Sequence, residues 1–105
     1  MILAFDTSTP WLGVALVQEK EVLFRVVEYT RASHSLLLMR YLELLETRFS
    51  LRRYLKAVVV GLGPGSFTGV KVGAIVAKGL AYALRVPLGG FSTLEVLASS
   101  ARRSD

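Results

Sequence analysis

Residues 57–73 read AVVVGLGPGSFTGVKVG, an apolar run, then Gly61, Gly63, Pro64 and Gly65, then apolar residues at helical spacing. An unbroken apolar run suits a strand covered on both faces, so Ala57–Val60 is predicted to lie inside a sheet. Phe67–Leu84 is predicted to be a helix. Strand, glycine loop and helix start is also how a chain builds a phosphate pocket, and two fingerprints test that reading. A P-loop needs Gly-Lys-Ser/Thr after its first glycine and four spacers, but Lys71 sits among valines inside the helix. The dinucleotide pattern has Ser66 or Thr68 where its third glycine belongs, and no acidic residue follows about twenty positions on. The loop therefore reads as a structural corner. Gly61, Gly63 and Gly65 permit backbone angles closed to other residues, Pro64 stiffens the turn, and Ser66 caps the helix. Beyond it, Gly69, Gly73, Ala77 and Ala81 recur every four residues as a smooth ridge that lets another helix or a sheet approach closely.

Upstream, Ile2–Phe5, Leu12–Val17 and Val22–Tyr29 are apolar, β-branched or aromatic runs separated by short turns, which predicts an antiparallel meander. Thr30–Ser33 supplies helix-capping residues, and Leu38, Leu42, Leu45 and Phe49 then recur at helical spacing. Leu36, Leu37, Met39, Tyr41 and Leu44 widen the apolar arc beyond one face, so a second covered side is expected, against another subunit. Arg52–Lys56 is expected to be a polar connector and Arg85–Leu88 a short closing strand. A last helix is expected from Ser92 or Thr93 to about Ala101, with Glu95 in its first turn. The order is βββαβαβα: one α/β domain over residues 1–105, with a mixed sheet.

Composition bounds the rest. At 105 residues, 52% hydrophobic and 20% charged, the chain has the size and balance of one core. It has no Cys, hence no disulfide framework or thiolate metal site. Its apolar runs are broken by Gly or Lys, so no membrane span is expected. No basic leader precedes MILAFD, so a cytoplasmic location is expected. The net charge of +5 gathers at Arg48–Lys56 and Arg102–Arg103, as solvated ends or as a nucleic-acid contact.

Asp6 ends the first strand beside Thr7, Ser8 and Thr9. Such a turn either holds a metal ion or touches a phosphate, or else Asp6 bonds its own backbone. No carboxylate follows the buried strand Ala57–Val60, which argues against two-metal nuclease chemistry. His34 is the only histidine, so no His-His metal pair forms within the chain.

Taken together, LAFDTST at 3–9, HSLLLMRYLELL at 34–45 and GLGPGSFTGVKVG at 61–73, continuing into AKGLAYALRVPLGGFSTLEVLA at 77–98, resemble the TsaB family, also called YeaZ. The resemblance implies an RNase H-like half of the actin-like ATPase superfamily, and the first domain of a normally two-domain family. It implies a non-catalytic subunit in making threonylcarbamoyladenosine in transfer RNA, scaffolding the catalytic relative TsaD, with a TsaE-like ATPase in the complex. Transfer RNA is then met through the complex, and ATP and metal are expected in the partner, with none bound by this chain. TsaD's paired histidines are not matched here, since Leu38 stands four residues after His34. The family's homodimer and TsaD contacts map to Ser33–Arg48 and Ser66–Arg85, and so to Leu37, Tyr41, Leu44, Gly69, Gly73 and Ala77. Two other readings stand beside it. One is a nucleotide-binding ATPase domain in which Asp6, Thr7 and Ser8 contact phosphate. The other is direct transfer-RNA binding through Arg48, Arg52, Arg53 and Lys56.

Overall fold

The computed structural model describes residues 1–31 and 33–92. Its elements are β1 (Ile2–Asp6), β2 (Trp11–Gln18), β3 (Glu21–Tyr29), α1 (His34–Phe49), α2 (Leu51–Tyr54), β4 (Ala57–Gly61), α3 (Phe67–Leu84) and β5 (Leu88–Phe91). The sheet order is β3-β2-β1-β4-β5. β1 pairs antiparallel with β2 and parallel with β4, so the sheet is mixed, as expected.

Register explains the core. Leu3 lies opposite Leu16 on one side and Val58 on the other, and Phe5 opposite Val14 and Val60. Opposed residues share a face, so these six side chains form one apolar plane, and all are buried. The helices cover that plane: Leu38, Leu42 and Leu45 of α1 and Gly73, Ala77 and Ala81 of α3 are buried with it. The opposite face carries Ile2, Val22 and Val27, all exposed among the described residues.

Three local expectations are corrected. Residues 51–54 form a helical turn rather than a polar connector. Buried Leu51 and Leu55 anchor it to the core, and the Glu46 carboxylate accepts the Arg52 N–H at 3.0 Å to close the corner. The last strand runs over Leu88–Phe91 rather than Arg85–Leu88. Arg85 is taken up as the left-handed cap of α3 (φ 56°), its N–H reaching the Ala81 and Tyr82 carbonyls, and pairing starts only where Leu88 meets Val58. α3 is also long and apolar enough, by length and composition, to cross a membrane (18 residues, mean hydropathy 1.3), contrary to expectation. It carries Lys71 and Lys78 and lies along the sheet through its small residues. The helix expected from Ser92 or Thr93 to Ala101, and the pair Arg102–Arg103, lie outside the described residues.

The small-residue ridge is corrected as well. Gly69, Gly73 and Ala77, expected at a partner contact, face the chain's own sheet. A Cβ on Gly73 would stand 2.6 Å from Thr7 Oγ1 and 3.2 Å from Val60 Cγ2, and one on Gly69 only 2.1 Å from the Thr7 carbonyl oxygen. Ala77 is fully buried. The ridge is used up in bringing α3 close to β1 and β4.

Candidate functional site

The chain leaves β1 into a tight turn that the glycine loop grips from the other side. Asp6 Oδ1 accepts the Ser8 N–H at 2.9 Å, the Asx-type bond that was one of the two sequence readings of Asp6. The Thr7 hydroxyl, buried, donates to the Gly69 carbonyl. The Ser66 N–H donates to the Ser8 carbonyl at 2.8 Å, and Ser66 Oγ accepts the Gly69 N–H at 2.9 Å as the cap of α3.

Of the three loop glycines, Gly63 alone has positive φ (94°), and its bond to Pro64 is cis. Gly61 and Gly65 are required by close approach instead. A Cβ would fall 2.5 Å from Asp6 Cγ at the first and 2.2 Å from the Ser8 carbonyl oxygen at the second. The loop is a corner moulded to the β1–β2 turn.

Beside this clasp opens a cleft of about 900 Å³, lined by Ser8, Thr9, Arg31, His34 and the starts of α1 and α3. Of the predicted phosphate contacts, Ser8 lines it, while Asp6 and Thr7 are turned into the Asx bond and the α3 contact. Ser8 is 1% exposed and its Oγ has no hydrogen-bond partner. A buried hydroxyl left so costs about 1–3 kcal/mol. His34 Nε2 lies 2.7 Å from the Thr9 carbonyl oxygen. A carbonyl only accepts, so that nitrogen carries the proton and holds the α1 start against the turn. Among the described residues, no three His, Asp or Glu side chains gather where one metal ion could touch them.

Sequence reasoning named Ser33 and Ser66 only as caps and missed Arg31. The signal was there in two capped helices following two strands, but it became legible only once β1 and β4 were known to be adjacent.

The outer surface of the helix layer carries large apolar side chains among exposed Arg40, Glu43, Lys71 and Lys78. Leu36, Met39 and Leu44 of α1 and Ile75 of α3 are exposed, and Phe67 and Tyr82 of α3 are 82% and 80% exposed. Leu37 and Tyr41 are half-buried; Tyr41 packs beside Phe24, and its hydroxyl donates to the Glu28 carboxylate. That bond, helped by partial burial and the Glu28 charge, raises the Tyr41 pKa above its ordinary value. The basic residues Arg48, Arg52, Arg53 and Lys56 are exposed on the α1–α2 corner. Arg52 lies 3.9 Å from the Glu46 carboxylate, and the Arg53 guanidinium sits 5.6 Å from the Tyr54 ring centre.

Comparison with known proteins places this architecture. Residues 26–105 match the family model described as TsaD, tRNA N6-adenosine threonylcarbamoyltransferase. The chain is 40% identical over 105 residues to the tRNA threonylcarbamoyladenosine biosynthesis protein TsaB of Bacillus subtilis, covering 99% of this chain and 46% of that protein. To TsaB of Escherichia coli it is 36% identical, covering 99% and 45% respectively. The solved structure of YeaZ from Pseudomonas aeruginosa superposes with a TM-score of 0.82 at 34% identity, covering 99% of this chain and 48% of that one. The chain thus spans about half the length of the relatives it matches. Its strand order, its mixed sheet and these likenesses agree: the fold is RNase H-like, and the chain belongs to the TsaB/YeaZ branch of the threonylcarbamoyltransferase family.

Proposed function

We propose that this chain is a non-catalytic subunit in threonylcarbamoyladenosine modification of transfer RNA, and that it works by scaffolding a TsaD-like catalytic partner. Residues 1–105 form the first RNase H-like domain of a two-domain protein. The outward sides of α1 and α3 make the contact, with a second copy or with the TsaD-like subunit, and Leu37, Tyr41 and Leu44 lie on its flank. A TsaE-like ATPase joins the same cytoplasmic complex, transfer RNA is met through it, and ATP and metal reside in the partner.

The observation that supports this reading is the exposure of Leu36, Met39, Phe67, Ile75 and Tyr82 on one helical layer. Large apolar side chains left exposed together on one layer are a mark of association surfaces. The glycine ridge lies on the other side of α3 and takes no part in the contact.

The variants Ile75→Glu and Tyr82→Glu test it, because both side chains stand clear of the core. Expected is an unchanged circular dichroism spectrum and melting temperature, with loss of co-elution with the TsaD-like partner in size-exclusion chromatography with light scattering. Normal co-elution by both folded variants would refute the assignment of this surface.

A further inference from the structure

β1, β4 and β5 run parallel, so their first residues share one end of the sheet, away from the cleft. Three hydrogen bonds gather separate segments there. The Lys56 N–H donates to the Met1 carbonyl at 2.7 Å, the Val58 N–H to the Pro87 carbonyl at 3.0 Å, and the Met1 ammonium to the Tyr54 carbonyl at 3.1 Å. α1 ends just before this corner, and α3 ends at its cap Arg85, close before Pro87. Folding thus brings Arg48, Arg52, Arg53 and Lys56 to the same end as Arg85 and the ammonium of Met1.

Little negative charge answers them. Among the described residues the one ion pair is that of Arg52 with Glu46, at 3.9 Å. Arg48, Arg53, Lys56 and Arg85 are exposed and form none. Glu19 and Glu21 reach this end on the β2–β3 turn, with Lys20 between them. Cations offset the negative end of a helix dipole, which accounts for Arg48 in the last turn of α1. That does not account for Lys56, which precedes a strand.

A second observation is aromatic. Tyr54 is 50% exposed, and the Arg53 guanidinium lies 5.6 Å from its ring centre. A half-bare ring beside a guanidinium is a platform on which a flat base can stack.

We propose that this corner binds RNA directly, its cations on the phosphates of one strand and Tyr54 against an unpaired base of a loop. Arginine suits phosphate because its planar fork donates two parallel hydrogen bonds. Unstacked bases are a feature of RNA loops, and an exposed ring is how proteins take them up. An acidic protein surface would answer the charges but leave the bare ring without a use. Glu46 works against binding by holding Arg52. The inference rests on the proposed role in transfer-RNA modification and goes beyond it, since RNA then touches this chain and not its partners alone.

The test is fluorescence anisotropy of a labelled RNA stem-loop titrated with the full chain over a series of salt concentrations. Expected is saturable binding that weakens steeply with salt. Arg53→Gln and Lys56→Gln should each flatten the slope of log affinity against log salt by about one, at unchanged melting temperature. Tyr54→Leu should weaken binding to the stem-loop about fivefold or more and leave binding to a fully paired RNA duplex unaltered. Glu46→Gln should tighten binding by releasing Arg52, an effect that a purely structural carboxylate would not produce. Polyglutamate at equal charge should displace the RNA poorly. No saturable binding at low salt, or salt slopes unmoved by both cation substitutions, would overturn the proposal. Displacement by polyglutamate as strong as by unlabelled RNA would also overturn it and assign the corner to an acidic protein. Co-elution with the TsaD-like partner should survive all four substitutions, so failure of RNA binding and failure of scaffolding are read separately.

Discussion

The Thr7 hydroxyl donates to the carbonyl of Gly69, 62 residues later in the chain, and so pins the end of β1 to the first turn of α3. The bond exists because Gly69 has no side chain; a Cβ there would overlap the Thr7 carbonyl oxygen at 2.1 Å. Gly69→Ala should therefore destabilise the protein by about 1–3 kcal/mol, despite the better helix propensity of alanine. Gly73→Leu, aimed at Thr7 Oγ1 and Val60, should cost more and lower the urea midpoint further. A Gly73→Leu chain as stable as the parent would show that α3 can rise off the sheet.

Gly79 gives the opposite case on the same helix. It is exposed, and a Cβ there would meet nothing within 4 Å. Gly79→Ala should stabilise by about 0.5–1 kcal/mol, since only backbone entropy is at stake. Urea denaturation with an unchanged slope checks it.

Ser66 caps α3 with its side chain and braces the turn with its backbone. Ser66→Ala removes the Oγ–Gly69 bond and keeps the N–H bond to the Ser8 carbonyl. The expected loss is about 0.5–2 kcal/mol, with the fold retained. Unfolding of this variant at room temperature would mean that the cap carries more than one hydrogen bond.

Tyr41 links α1 to β3 through Glu28, and its pKa is raised above the ordinary 10.0. A folded-state pKa above the unfolded one favours the protonated native form. The contribution is then fully present below about pH 10 and is lost as pH rises through the folded value. Tyr41→Phe should cost about 1 kcal/mol at neutral pH, allowing for the half-exposed site. In thermal melts across alkaline pH the gap between variant and parent should close. A constant gap would mean that ring packing on Phe24, not the hydrogen bond, holds the helix.

Much of the architecture was legible because strand and helix periods are local. The unbroken run Ala57–Val60 announced an interior strand, and it pairs on both sides, with β1 and with β5. The boundaries that moved were decided by contacts the sequence does not display. Leu51 and Leu55 turned a charged stretch into a helical corner, and the left-handed cap at Arg85 delayed the last strand. The site was only half legible. Ser8 could be singled out from its turn, but its pairing with the start of α3 depends on the parallel alignment of β1 and β4. The glycine ridge misled for a physical reason: small residues at spacing four say that something comes close, not whether it is a stranger or the chain's own sheet. Ile75, Phe67 and Tyr82 read as ordinary helix residues until that close side was known.

Ile2, Val22 and Val27 stand 41%, 60% and 60% exposed on the side of the sheet that neither helix covers, with Trp11 and Tyr29 edge to face beside them. Nothing in residues 1–31 or 33–92 shields this greasy plane. Lysine at both Val22 and Val27 should accordingly keep the fold β-rich and make the protein easier to concentrate without precipitation. A plane this oily is where the molecule would stick first.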